Sequence, residues 1–234
     1  MTRLVLCALT LMAMSNEAAA MDVAVAGNQL ILSGRVIGNE YERVSRLLAA
    51  DARITTVVLR NSPGGHAGTG YRLGELFRAR GLNTAVSGFC YSSCSRMFLG
   101  GRQRSFTDDF PQERTEVGFH GHYGRDGRLL PDLVRKLDLK AWIIRHSDGR
   151  ADAELVERWI NIPRGAGMIH FFHPGLVQRH GVSTVLCQGD EETSEGVFGC
   201  EPISRTAVDL GIVTTLALTH GNDQAAVRAA HGLK

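Results

Sequence analysis

The chain of 234 residues carries almost no excess charge, because 26 Lys and Arg face 24 Asp and Glu and leave a formal +2. Without a broad basic surface it offers no electrostatic footprint for DNA or an anionic membrane, so nucleic acid is excluded as the expected partner. The nine histidines add positive charge only below about pH 6.5. Past Met14 no apolar run approaches the roughly 20 residues that a membrane-spanning helix needs. Repeats, low-complexity tracts and linkers of the kind that separates domains are also lacking, which argues for one domain over 21–234. At 44% hydrophobic and 21% charged, the composition is that of a globular protein.

The first 20 residues read as a segment apart from the fold. Arg3 supplies a positive start, Leu4 to Met14 is apolar or small, and a polar stretch ends in Ala18-Ala19-Ala20. That pattern is a secretory signal peptide, with cleavage expected after Ala20. An uncleaved anchor is the alternative, for which the apolar stretch is short. The mature chain is expected to be exported, periplasmic or secreted, with no permanent membrane anchor. Export changes the reading of the cysteines. Removing Cys7 leaves Cys90, Cys94, Cys187 and Cys200, an even set in an oxidising compartment. The spacings suggest Cys90–Cys94 and Cys187–Cys200 as local disulfides, although the sequence leaves the other two connectivities open. A zinc site is the rival, to which Cys-x3-Cys is a loose match.

Along the mature chain, strands are expected at 29–37, 54–59, 83–86 and 116–120. The second, ITTVVL, is a β-branched run suited to a buried parallel strand. Between them come an amphipathic helix ending near Asp51, with Asn39 and Glu42 as a capping box, and another from Gly68 to Arg80 with Gly81 as its C-cap. An apolar run at Met97-Phe98-Leu99 ends in Gly100-Gly101. Helices are expected at 131–147 and 152–160, whereas 163–182 is ambiguous between a helix and a loop-rich excursion. Residues 188–195 read as a surface loop closed by the last two cysteines. Such alternation argues for an α/β domain with a mostly parallel sheet and a helical excursion over about 130–182.

Three segments that end strands could carry chemistry. Ser62-Pro63-Gly64-Gly65 lets the backbone approach a ligand with no side chain in the way. Cys90-Tyr91-Ser92-Ser93-Cys94 places a serine between a strand and a helix, where free amides suit an oxyanion. His120 ends the next strand and could serve as a general base, provided that it lies within hydrogen-bond reach of the hydroxyl. Parallel sheets align such ends along one edge. Taken singly, each is more often a turn, a helix cap or a packed histidine; their order and contexts together make the case.

At these residues the chain resembles the Clp protease proteolytic subunit. The resemblance lies in Asn61-Ser62-Pro63-Gly64-Gly65 with Ala67-Gly68, the serine turn leading to Met97-Phe98-Leu99, Val117-Gly118-Phe119-His120, and Ala207-Val208-Asp209-Leu210-Gly211-Ile212-Val213. With its export signal, the chain looks like an exported Clp-protease-like member of the ClpP/crotonase superfamily, over roughly residues 30–125 and 200–214. The resemblance implies an α/β spiral of β-β-α units and a serine peptidase acting on a peptide or protein. Position by position it implies Ser92 as nucleophile and His120 as base. The N–H groups of Gly65 and Ser93 would form the oxyanion hole, and His66 and Ala67 would pair with the substrate as an added strand. A register shift by one makes Ser93 the nucleophile. No metal, nucleotide or organic cofactor is required, and a homo-oligomer is implied because the family assembles into rings.

The match fails at the third catalytic member, because the family's aspartate falls on Gly199. Glu201, two residues away, is the possible substitute. A missing acid weakens such a triad without necessarily abolishing it, so a catalytically degenerate binding or assembly protein is the non-enzyme alternative. A metal enzyme built on His120, His122, His170 and His173 is the chemical rival, although no HExxH motif occurs. A crotonase-type acyl-CoA enzyme shares the fold but would need CoA outside the cytoplasm. If Cys90 and Cys94 are bonded, they clamp the turn that holds Ser92, or they merely stabilise it.

Overall fold

The computed structural model describes residues 20–177, 181–191 and 199–221, so the expected signal peptide lies outside the described residues except for Ala20. Its central strands follow from the β-branched and apolar runs. β1 (Asp22–Ala26) and β2 (Gln29–Ser33) form an antiparallel hairpin across the two-residue turn Gly27-Asn28, with Gly27 at φ 60°. A positive φ there suits glycine and matches the twist of the flanking strands. The chain then alternates α1 (Glu40–Ala50), β3 (Thr56–Ser62), α2 (Ala67–Ala79), β4 (Asn83–Tyr91), α3 (Ser93–Leu99), β5 (Arg104–Phe106) and β6 (Glu116–Phe119). β2, β3, β4 and β6 are mutually parallel neighbours.

β5 and β6 share one edge of β4. β5 pairs with Thr84–Val86 and β6 with Phe89–Tyr91. Between them lies Gly88 at φ 75°, where a side chain would run into Asn61. This division turns a flat sheet into a spiral, and the repeated strand–strand–helix order is that of the ClpP/crotonase-like α/β architecture expected from the sequence. The core between sheet and helices is built from Leu30, Leu32, Val57, Leu59, Leu73, Phe77 and Phe98, all without solvent exposure. Burying each such side chain contributes roughly 1.5–3 kcal/mol.

Three expectations need correction. The capping box at α1 is not made by Glu42; the Glu40 carboxylate instead accepts from the N–H of Ile37 at 2.6 Å and of Gly38 at 2.9 Å. The single helix over 131–147 is two, α4 (Pro131–Lys136) and α5 (Leu139–His146), broken where Asp138 takes a left-handed φ of 45°. α6 (Ala153–Ile160) follows as expected, capped by the Asp152 carboxylate on the Leu155 N–H at 2.8 Å. The excursion over 130–182 is not wholly helical, since it contains β7 (Met168–Phe172), antiparallel to β6. With β8 (Thr184–Cys187) and β9 (Glu201–Pro202), also antiparallel, it extends the sheet to nine strands among the described residues. Among the described residues no helix is long and apolar enough to cross a membrane.

Candidate functional site

Ser92 stands alone between β4 and α3, at φ 56° and ψ −120°. A non-glycine residue at positive φ outside the left-handed helical region is strained and persists only where its surroundings hold it. Four restraints do so. The Ser92 N–H donates to the Gly118 carbonyl of β6 at 3.2 Å. Its carbonyl accepts from the Ser95 hydroxyl at 2.6 Å and from Arg96 at 2.7 Å. The buried Cys90–Cys94 disulfide, with Cα atoms 5.3 Å apart, closes the turn from both sides. Below lies Gly64, at φ 80°; a Cβ there would sit 2.8 Å from the Ser92 Cβ and 2.9 Å from the Ser93 nitrogen. Only glycine permits that approach. This strand–turn–helix geometry is the one that presents a nucleophilic serine in hydrolases.

The two serines differ in their surroundings. Ser92 is half-buried, whereas Ser93 is 2% exposed with its hydroxyl buried and unpartnered. Ser93 packs against α2, where a Cβ on Gly70 would lie 2.9 Å from the Ser93 Cβ. Among the described residues the N–H groups of Gly65 and Ser93 donate to no acceptor. Gly65 is pressed against Val36 on its other side, with Val36 N–H donating to Gly64 and His66 N–H donating to Val36, each at 2.9 Å. His66 is thereby engaged by the chain itself. Its ring also caps α2, accepting from the Thr69 N–H at 3.2 Å, and Ala67 is the first residue of that helix. The strand-pairing edge expected at His66 and Ala67 is therefore occupied.

His120 follows β6, whose Gly118 pairs in register with Tyr91, the residue before Ser92. The strand ends are brought together as expected, but the imidazole is not tied to the serine. His120 is 8% exposed, stacks on Tyr123 at 4.8 Å between centroids, and neither ring nitrogen has a hydrogen-bond partner among the described residues. Burial, then the charge of Arg96 and the neighbouring His122 and His170, push its pKa down to about 3. A ring so placed is neutral at pH 7, and nothing fixes its tautomer. Glu201 does not supply the missing acid. It lies on β9, three strands from β6, and pairs with Arg158 of α6.

A carboxylate–imidazole pair does exist nearby, and the sequence reading missed it. Glu116, at the start of β6, accepts from the Tyr91 hydroxyl with one oxygen and meets His170 Nδ1 at 2.7 Å with the other. Gly118 leaves room for this, since a Cβ there would press to 2.8 Å from the Tyr91 ring. Alternation along β6 places Glu116, Gly118 and His120 towards one face, but His170 lay in the ambiguous segment. Arg96, the donor to both Ser92 and His120, also gave no signal beyond its place in an apolar run.

The four histidines of the metal reading do not converge. His122 Nε2 meets the Tyr71 hydroxyl at 2.9 Å, His170 is held by Glu116, and His173 Nε2 meets the Leu216 carbonyl at 3.0 Å. Among the described residues no cluster of three or more His, Cys, Asp or Glu could hold a metal ion. Both expected disulfides are present, Cys90–Cys94 and Cys187–Cys200, which fits an oxidising compartment outside the cytoplasm.

No protein-family model and no curated protein matches the chain. Among solved structures it is similar to ClpP1 from Listeria monocytogenes, with TM-score 0.48, 14% identity, and 89% of this chain and 95% of that one covered. An asparagine-to-aspartate mutant of the same protein gives TM-score 0.43 and 15% identity over 56% of this chain and 78% of that one. A serine-to-alanine mutant of 1510-N, a membrane-bound stomatin-specific protease, gives TM-score 0.46 and 11% identity over 85% and 81%. These are distant resemblances of backbone path to protease-clan structures. The fold assignment stands on this chain's own sheet order and crossovers.

Proposed function

We propose that this is a catalytically degenerate ClpP-like protein of an extracytoplasmic compartment, exported by the N-terminal segment. It binds peptide main chain at the Ser92 turn without turning it over. The carrying observation is that both ring nitrogens of His120 are unpartnered among the described residues. Peptide hydrolysis needs a base that takes the hydroxyl proton and returns it to the leaving amine, held in one tautomer by a third group. Among the described residues His120 has no such third group, and burial beside a cation disfavours its protonated form. The amides of Gly65 and Ser93 remain available to a peptide carbonyl, and Ser92 keeps slow reactivity towards strongly activated electrophiles.

The second reading is a working serine peptidase, favoured by the dihedral angles of Ser92, a strained geometry that an ordinary turn does not need. Both are tested together with a fluorophosphonate probe and a peptide-library turnover assay on wild type, Ser92→Ala and Ser93→Ala. Slow labelling lost only in Ser92→Ala, with no peptide turnover between about pH 5 and 9, is the expected result. Sustained turnover abolished by Ser92→Ala establishes the peptidase instead.

A further inference from the structure

Three arginines are buried in the described structure, and they are not alike. Arg60 meets Asp109 at 2.7 Å and Arg104 meets Asp148 at 2.9 Å. Arg96, 1% exposed, has no carboxylate partner among the described residues, and its Nε is left without an acceptor. A buried charge without a counter-charge is costly, so its retention calls for a reason. Its bonds supply one. Nη1 donates to the Ser92 carbonyl at 2.7 Å and to the Ser95 hydroxyl at 3.0 Å, while Nη2 donates to the His120 carbonyl. One planar fork thus bonds the main-chain carbonyls of both Ser92 and His120.

We propose that Arg96 is a positioning residue of the Ser92 site: its guanidinium locks the serine turn to the strand end bearing His120, through two main-chain carbonyls. The assignment rests on the reading of Ser92 as a residual nucleophile and adds the residue that holds it in register with His120. The planar fork matters because lysine offers only a point charge and cannot span two acceptors with the same fixed geometry. The charge matters separately. The groups acting on His120 are Arg96 from α3, His122 beyond the end of β6, and His170 from β7. Tyr123 stacks on the ring, and Tyr71 of α2 sits against His122. Burial is the first cause that keeps the imidazole neutral, and the Arg96 cation adds to it.

Fork and charge are separable by substitution. In Arg96→Lys the charge remains and the fork is lost. Fluorophosphonate labelling of Ser92 falls at least about tenfold, while the His120 titration, followed by NMR, stays where it is in wild type. In Arg96→Met and Arg96→Gln labelling falls similarly and the His120 midpoint rises by about one unit or more. Folding is verified by an intact Cys90–Cys94 disulfide and cooperative unfolding. Wild-type labelling in a folded neutral variant, or an unmoved His120 midpoint there, overturns the proposal. Failure of all three variants to fold makes Arg96 a purely structural residue and overturns it as well. If wild type itself is unlabelled, the nucleophile reading fails, and the His120 midpoint in the neutral variants still decides whether Arg96 governs that ring.

Discussion

The two ends of β6 present two imidazoles in opposite circumstances. At its start Glu116 holds His170 by Nδ1 at 2.7 Å, with Tyr91 fixing the other carboxylate oxygen. Just past its end His120 has no partner on either nitrogen among the described residues, and burial, then Arg96, pushes its pKa down to about 3. The chain therefore possesses a carboxylate-oriented imidazole of the kind a hydrolase uses, but that carboxylate serves His170, not the ring that follows the strand end beside Ser92. On the proposed reading, what separates this site from a working triad is placement rather than an absence of the right residue types. The strained serine turn is nonetheless held at the same sheet edge by a disulfide, a close-packed glycine and a buried arginine.

The contrast can be sharpened first through acid stability. His120 has a folded pKa below its unfolded value, so the unfolded chain binds more protons between about pH 6.5 and 3. Its contribution is fully present above about pH 6.5 and is lost as pH falls through that window. His122, lowered to about 4 by burial and then by Arg96, acts in the same direction. Urea unfolding at pH 4 should give a stability lower than at pH 7 by on the order of 2–3 kcal/mol from His120, and His120→Gln should flatten the slope. An equal slope in His120→Gln would mean that the ring is solvated or paired. A smaller effect is expected at the other end of β6. Glu116→Gln should lower stability by about 1 kcal/mol and leave Ser92 labelling within about twofold of wild type. A collapse of labelling would show that the Glu116–His170 pair serves the serine after all.

The parallel half of the sheet was legible because its signals are local. The run Ile54 to Leu59, the stripe Leu73, Leu76 and Phe77, and the glycines that punctuate them each report burial and direction without tertiary information. β4 runs five residues past the expected end at Val86 because it pairs with β3 on one edge and with β5 and β6 along the other. The antiparallel half was not legible. Met168–Phe172 has apolar residues on both faces around His170, so no clean alternation marks it, and β9 is two residues long. The turn residues Gly64, Ser92 and His120 could be found from order and context. Their states could not, because whether an imidazole has a partner depends on strands more than 50 residues apart, as the pairing of Glu116 with His170 shows.

The most direct test is the titration of His120 in wild type, followed by NMR of its ring protons and assigned with His120→Gln. The expected midpoint is about 3, with a ring that is neutral at pH 7. A midpoint at or above about 6.5, the mark of an imidazole held by a carboxylate, would contradict the degenerate site and restore the working peptidase.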